Sequence, residues 1–503
     1  MITIKSSMIG EQLRKENFFM RTKIESLLMQ GLQKQEKSIK EIKKDEIAAE
    51  LNLNDVKNVI EDPEILEDEL TDKSSEEIFV LDDGITEEAK NYIKILNLKN
   101  PGANGEAVIL PSNLPPEIKK KVDEGYETYG FNAFVSSLIS LNRNFPDIRS
   151  DYCKTKVYRK NLPKASVIIP FHDDDWSLLM RTVHSIIRYS PPELIEEIIL
   201  VDDYSQREHL KDHLDEYVKT LPKVKVVRSH QRLGIVANRV LGARNALAPI
   251  LVYVDSHVEC GPGWLEPILD RLKDNENLLV WGKISVIDDD TLFLSLDNKT
   301  GGIGGFTWSM DFSWIDVKFY EGDNPTPTYE PKASPTFMGP TYALWRHWFE
   351  KIGYFDTDMD IWGGEDVELG FRMWMCHGRV EMIPCAVVAH MYRGHTYTMH
   401  SEDKGGYRWN TDRIAETWLG EYLRYYYRLV GDTKNRNFGD ISERLAIKEK
   451  LKCHDFKWFI ENVHPKQTIP EKIRDPTTTT AIQMKPQKDE EKIIDKKNNL
   501  NKI

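Results

Sequence analysis

The chain has 503 residues, of which 40% are hydrophobic and 10% aromatic. This apolar content can form a large core, which excludes collagen-like, wholly disordered and disulfide-only proteins. The 81 acidic side chains outnumber the 68 basic ones and give a net charge of -13, so we expect no nucleic-acid partner. The longest apolar runs are strand-sized, and the sequence shows neither a transmembrane segment nor a signal peptide.

Composition divides the chain into four parts. Residues 1–95 are dense in Lys, Glu and Asp, which predicts a charged stalk that is partly helical or disordered. Residues 96–164 lead into a segment, 165–465, in which apolar runs alternate with amphipathic stretches. Residues 466–503 are rich in Thr, Lys, Asp and Asn, which predicts a disordered tail.

The segment 165–465 opens with a pattern of strands alternating with helices. Such alternation predicts an α/β fold with a mostly parallel central sheet covered by helices. Ligands of these sheets bind beyond the carboxyl ends of the strands, where Asp203 and Asp255 stand. No GxGxxG follows the first strand and no GxxxxGK[ST] occurs, which argues against a dinucleotide dehydrogenase and a P-loop NTPase. Strands are predicted at 165–171, 197–201, 224–227 and 250–254, and helices at 176–189 and 234–248.

Asp255-Ser256-His257 directly follows the apolar run ILVYV. In extended backbone, residues i and i+2 point the same way, so a carboxylate and an imidazole would face one ligand. Such oxygen and nitrogen ligands suit a divalent cation such as manganese, and His390, after the strand-like run 386–389, offers a third. A plain strand-to-loop turn is the alternative, because two residues alone are weak support.

Three further stretches combine glycines with functional side chains. Residues 362–366, WGGED, offer a stacking ring, close backbone approach and a carboxylate, or else a turn capping the next helix. Residues 301–314 suit either stacking on sugars or a hairpin with core aromatics. The stretch with Arg393, His395 and Tyr397 suggests a mobile lid carrying donors for phosphate, with a static loop as the alternative.

Taken together, these motifs resemble the polypeptide N-acetylgalactosaminyltransferases, which start mucin-type O-glycosylation on Ser and Thr. The resemblance covers roughly Cys153 to Pro465. The stretches that carry it, in order, are FHDDDWSLLMRTVHSII from Phe171, EIILVDDYS from Glu197, DSHVEC from Asp255 with WLEP from Trp264, GGFTWSMDFSW from Gly304, SPTFMGP from Ser334, WGGEDVELGFRMWMCHG from Trp362 and HMYRGHTYT from His390.

The resemblance implies a GT-A fold, which is Rossmann-like, and retaining transfer of GalNAc from UDP-GalNAc to Ser or Thr hydroxyls of proteins in the Golgi. It implies Mn²⁺ held by Asp255, His257 and His390, and catalytic roles for Asp255, Glu365 and Arg393. It also implies disulfides Cys153–Cys385 and Cys376–Cys453, with Cys260 free, and hence an oxidising lumen. The positions that match donor contacts are Asp203, Arg232, Ser256, Trp362, Arg393, His395 and Tyr397.

The sequence departs from the family pattern in four respects. It shows no type II membrane anchor, and it shows no carboxy-terminal lectin domain, so we expect no guidance by glycans already on the substrate. Asp173-Asp174-Asp175 replaces Asn-Glu-Ala, and Met338-Gly339-Pro340 replaces a small-Gly-Gly turn that lies against the sugar in relatives. The lid is one residue shorter, with Thr396 in place of a proline. Two alternatives therefore stand: a catalytically silent relative with a binding or regulatory role, or a transferase for a different UDP-sugar.

Overall fold

The computed structural model describes residues 83–295, 302–322, 326–394, 401, 404–431 and 436–470. Most of the predicted stalk, the tail from 471 onward, and the lid residues His395 and Tyr397 lie outside these described residues. The chain divides after Phe79, and every described residue belongs to the unit Val80–Ile503. The domain boundaries drawn from composition stay predictions.

A nine-stranded mixed sheet forms the centre of the described region, in the order β3-β2-β1-β4-β10-β6-β11-β5, with β9 paired to β11. Strands β7 and β8 form a separate hairpin. The strands are β1 Ala165–Phe171, β2 Ile195–Asp202, β3 Val224–Arg228, β4 Ile250–Val254, β5 Val258–Cys260, β6 Leu278–Ile287, β7 Gly302–Phe306, β8 Phe312–Asp316, β9 Lys332–Ala333, β10 Thr341–Trp345 and β11 Arg379–Met391.

The half of the sheet that the sequence predicted is parallel throughout. Strands β3, β2, β1 and β4 run the same way, so their carboxyl ends meet at one edge. Strand β10 then lies antiparallel between β4 and β6, and β11 returns parallel to β6. The strands β1, β2 and β4 are buried along nearly their whole length, which explains their continuous apolar runs.

Helices and short lead-in elements pack around this sheet. The predicted helix 176–189 has the same bounds in the structure. It begins at Trp176 because the Asp175 carboxylate, as N-cap, accepts a hydrogen bond from Leu178 N (3.0 Å). The helices are α1 Glu87–Ile95, α2 Pro116–Tyr129, α3 Ala133–Ser137, α4 Asp151–Thr155, α5 Trp176–Tyr189, α6 Asp212–Val218, α7 Ile235–Arg244, α8 Glu266–Leu272, α9 Val317–Glu321, α10 Arg346–Lys351, α11 Glu365–Met375, α12 Tyr407–Trp418, α13 Leu423–Val430, α14 Ser442–Lys450 and α15 Phe456–Asn462.

Helix α7 lies closely against strands β1 and β2. A Cβ atom on Gly242 would come within 2.4 Å of Ile168 Cγ2, so only glycine permits this approach. The helix ends at Arg244, before the predicted residue 248; Asn245 is its C-cap, and the Asn245 side chain donates to the carbonyl of Leu241 (2.9 Å). The close packing places the middle of α7 beside the carboxyl end of β4.

The lead-in segment packs beside the end of β11. Phe131, Val135 and Ile139 form an apolar cluster that includes Ala389 and Met391 of that strand. The carboxyl end of α2 is thereby brought next to the residues that follow β11. No helix within the described ranges is long and apolar enough to cross a membrane.

Two disulfides link distant parts of the described chain. Cys153 on α4 is bonded to Cys385 on β11, and Cys376 at the end of α11 is bonded to Cys453. These are the pairs that the family resemblance implies, and Cys260 is a buried free thiol.

Candidate functional site

A cleft opens beyond the carboxyl ends of β1, β2 and β4, the edge at which the sequence predicted a site. It encloses about 460 Å³, including its open mouth. Seven of the predicted site residues line it: Asp203, Arg232, Asp255, Ser256, His257, Trp362 and Arg393.

Strand pairing brings the three predicted metal ligands together. His390 on β11 lies opposite Val258 of β5, and Met391 N donates to His257 O (3.1 Å). The ligand atoms of Asp255, His257 and His390 all lie within 4.8 Å of one another. The two imidazole rings are 4.7 Å apart, and Asp255 Oδ2 lies 3.8 Å from His390 Nε2.

The protonation state of His390 suits metal ligation. Burial, with a contribution from Arg393, lowers the pKa of His390 to about 3, so its ring is neutral at physiological pH. Metal ligation requires a neutral imidazole. His390 Nδ1 is buried and has no hydrogen-bond partner among the described residues. An oxygen and two nitrogen ligands in a partly buried pocket therefore fit a borderline divalent ion.

A buried arginine that the sequence reasoning missed joins this cluster to Glu365. Arg239 on α7 donates to Asp255 Oδ1 (3.0 Å) and to Glu365 Oε1 (2.7 Å), and its side chain is only 2% exposed. It also donates to the carbonyl of Gly339 (3.3 Å). The signal available in the sequence was a charged side chain in the mostly apolar helical stretch IVANRVLGA. Arg239 thus holds both carboxylates and the 338–340 turn in one arrangement.

Glu365 is the first residue of helix α11. Gly363 and Gly364 precede it with φ values of +100° and +85°, and a Cβ on Gly363 would lie 2.2 Å from the Tyr407 ring. The glycines therefore form the turn, and Gly364 is the N-cap residue. Glu365 Oε2 is buried without a partner among the described residues, so it can accept a hydrogen bond from a ligand.

Asp203 lines the cleft with its carboxylate already engaged. It accepts hydrogen bonds from the backbone N–H groups of Leu233 (2.7 Å) and Gly234 (2.9 Å) and from Arg232. These contacts fix the loop that enters α7. The structure therefore shows Asp203 shaping the wall of the cleft and holding Arg232 beside it.

Trp362 is 41% exposed at the cleft, and its ring centre lies 5.8 Å from that of Tyr407.

The aromatic side chains of the 301–314 stretch differ in their exposure. Phe306 and Trp308 are buried in the core, whereas Trp314 on β8 is 45% exposed. The hairpin with core aromatics, one of the two alternatives, accordingly accounts for Phe306 and Trp308.

Arg393 stands at the cleft two residues after β11. It donates to the Asp174 carboxylate and to the carbonyl of Tyr129 (3.3 Å), and its guanidinium lies 5.9 Å from the centre of the Phe131 ring. Asp174, which the sequence reasoning noted only as a departure from the family pattern, is 2% exposed and also accepts from Ser256 Oγ (2.5 Å).

Comparison with known proteins agrees with this architecture. The profile described as Glycosyl transferase family 2 matches residues 166–350, and the one described as N-terminal domain of galactosyltransferase matches residues 326–400. The two profiles span the cleft and most of the sheet.

Curated relatives carry one family name. The chain is 43% identical over 374 residues to "Putative polypeptide N-acetylgalactosaminyltransferase 9" of Drosophila melanogaster, which covers 74% of this chain and 57% of the relative. It is 38% identical over 406 residues to polypeptide N-acetylgalactosaminyltransferase 13 of Rattus norvegicus, covering 79% of this chain and 72% of the relative. The chain thus spans less than two thirds of the fly protein's length.

A solved structure shows the same fold. The crystal structure of GalNAc-T7 with UDP, GalNAc and Mn²⁺ superposes with a TM-score of 0.67 at 34% identity, covering 73% of this chain and 68% of that one. The α/β GT-A fold predicted from the sequence is confirmed by this match and by the sheet. On the identity and coverage of these relatives, the chain belongs to the polypeptide N-acetylgalactosaminyltransferase family.

Proposed function

We propose that this protein is a retaining, manganese-dependent glycosyltransferase that moves GalNAc from UDP-GalNAc to Ser or Thr hydroxyls of proteins. The observation that carries the proposal is the convergence of Asp255, His257 and His390 at a cleft that Arg393 also lines. A divalent cation held by those three residues would offset the negative charge that grows on departing UDP. GalNAc-T7, a member of the same family, is described with UDP, GalNAc and Mn²⁺.

The chain's own residues divide the remaining work. Arg393 adds a fixed positive charge on the side of the cleft that faces the end of β11. Arg239 orients Asp255 and Glu365, and Glu365 Oε2, which has no partner among the described residues, would accept a hydrogen bond from a hydroxyl of the transferred sugar. No enzyme nucleophile is needed if the departing phosphate takes the proton of the acceptor hydroxyl on the same face. The two disulfides support residence in an oxidising compartment, and we infer the Golgi lumen.

Intact-mass analysis of Thr-rich peptides incubated with the protein, Mn²⁺ and each UDP-sugar separately tests this function. An N-acetylhexosamine increment with UDP-GalNAc, lost in Asp255→Ala, is expected. A suitable control is Asp270→Asn, because Asp270 pairs with the exposed Arg159 away from the cleft. Retained activity in Asp255→Ala would contradict the metal assignment, and no increment from folded protein with any donor would favour the catalytically silent alternative.

A different UDP-sugar donor is the second candidate, and the 338–340 turn favours it. Tyr392 OH donates to Met338 Sδ (3.4 Å), and Pro340 O accepts from Asp255 N (3.0 Å), so the turn lies beside the metal ligands. Met338 adds bulk at that position. A gain in GalNAc transfer by Met338→Ala with Pro340→Gly would show that the turn restricts the donor.

A further inference from the structure

Asp174 is the middle residue of Asp173-Asp174-Asp175, and the three side chains have different partners. Asp173 accepts from the backbone N–H groups of Gln206 (2.5 Å) and Arg207, which fixes a loop. Asp175 caps helix α5. Asp174 differs from both, because its carboxylate accepts hydrogen bonds from the side chains of Ser256 and Arg393 in the cleft.

One oxygen of Asp174 acts on the metal side of the cleft. Ser256 donates its hydroxyl hydrogen to Asp174 Oδ2 (2.5 Å), so Ser256 Oγ is left to accept from His257 Nδ1 at 3.2 Å. This chain of hydrogen bonds places the imidazole proton on Nδ1 and the lone pair on Nε2. A carboxylate that sets the tautomer of a metal-binding histidine is a recurrent arrangement in metalloproteins.

The other oxygen acts on the arginine. Asp174 Oδ1 accepts from Arg393 Nη2, while Tyr129 O and the Phe131 ring contact the same guanidinium from the lead-in segment. The Arg393 side chain is 9% exposed and that of Asp174 is 3% exposed. A charge-assisted hydrogen bond in so buried a place restricts the guanidinium to one orientation.

We propose that Asp174 is a positioning residue that sets the two halves of the donor site at once, the metal ligand His257 through Ser256 and the phosphate-facing Arg393 directly. This inference deepens the proposed function and rests on it for the identity of the donor. The inference has two arms, the effect of Asp174 on His257 through Ser256 and its effect on Arg393. They can be tested separately, because each uses a different carboxylate oxygen.

Binding measurements on the full chain test the two arms without any transfer reaction. Mn²⁺ affinity is measured with the metal alone, and UDP affinity at saturating Mn²⁺, for wild type, Asp174→Asn and Asp174→Glu. Asp174→Asn should bind Mn²⁺ roughly 10–100-fold more weakly, the usual cost of losing a residue that orients a metal ligand. Asp174→Glu, which restores both oxygens, should recover most of that affinity. Ser256→Ala should weaken Mn²⁺ binding as well and leaves Arg393 paired.

The Arg393→Met background separates the arms. There, Asp174→Asn should still weaken Mn²⁺ binding but should lower UDP affinity little further, because the arginine it positions is gone. Glu381→Gln is the matched control, since Glu381 is buried and paired with Arg271 and Arg379 at the opposite end of β11. Wild-type Mn²⁺ affinity in folded Asp174→Asn, or an equal loss of UDP affinity with and without Arg393, would overturn the inference. Absent transfer by wild type would instead refute only the proposed function.

Discussion

Replacing Arg239 by methionine should destabilise the protein more than any other single change in the cleft. The guanidinium is the buried cation that separates Asp255 from Glu365, with donor distances of 3.0 and 2.7 Å. Removing one partner of a buried ion pair costs about 3–5 kcal/mol, because the remaining charge stays desolvated. We expect a loss of about 4 kcal/mol, since both Asp255 and Glu365 lose the cation that they share.

Thermal unfolding of metal-free protein measures this loss. With an unfolding entropy of about 2.1 cal/mol/K per residue and roughly 370 described residues, the entropy is about 0.8 kcal/mol/K, so a loss of ~4 kcal/mol lowers Tm by about 5 °C. Arg372→Met is the matched control, because Arg372 is fully buried and paired with Glu368 through two hydrogen bonds. Both variants should lose stability, but only Arg239→Met should also lose UDP-GalNAc turnover.

A second substitution tests the electrostatic reason. Adding Glu365→Gln to Arg239→Met removes one of the two uncompensated charges and should restore roughly 1–2 kcal/mol, within the range measured for coupled neighbours. A Tm loss below about 1 °C in Arg239→Met, or no recovery in the double variant, would refute the reasoning.

Three further changes give separate tests. Trp362→Ala should raise the KM for UDP-GalNAc about fivefold, the value of one stacking contact of ~1 kcal/mol, with little change in Tm because the ring is 41% exposed; an unchanged KM would exclude stacking. Cys376→Ser with Cys453→Ser should lower the free energy of unfolding by about 4 kcal/mol, since the bond joins residues separated by 77 positions; chemical denaturation measures it, and a loss below ~1 kcal/mol would contradict it. Burial lowers the pKa of His464 to about 4. As pH falls from ~6.5 to ~5, the histidine is protonated in the unfolded state and stays neutral in the folded state. Proton uptake by the unfolded state therefore removes about 2 kcal/mol of stability by pH 5. His464→Gln should therefore lose less stability than wild type between pH 7.5 and 5, and equal losses would contradict the assignment.

Much of the fold and part of the site could be predicted from the sequence. The β-branched runs of β1, β2 and β4 and the stripe of α5 are local patterns, and such patterns specify elements because burial repeats along the chain. The position of Asp255 directly after β4 followed in the same way, since strands of a parallel sheet carry their ligands at one edge. The strand pattern suggested Asp255, His257 and His390 as metal ligands with a plain turn as the alternative, and the family resemblance then favoured the metal site. The disulfide pairs came only from the resemblance.

The rest depended on contacts between residues far apart in the chain. The antiparallel insertion of β10 between β4 and β6 joins segments about 60 to 95 residues apart, and no local periodicity encodes such pairing. Asp174 and Arg393 are separated by 219 residues, and Arg239 and Glu365 by 126. From sequence alone, a charged side chain is expected to face solvent, because most charged side chains in proteins do. In the folded chain these four side chains are buried opposite a partner of the other charge, and that burial allows them to hold the site together.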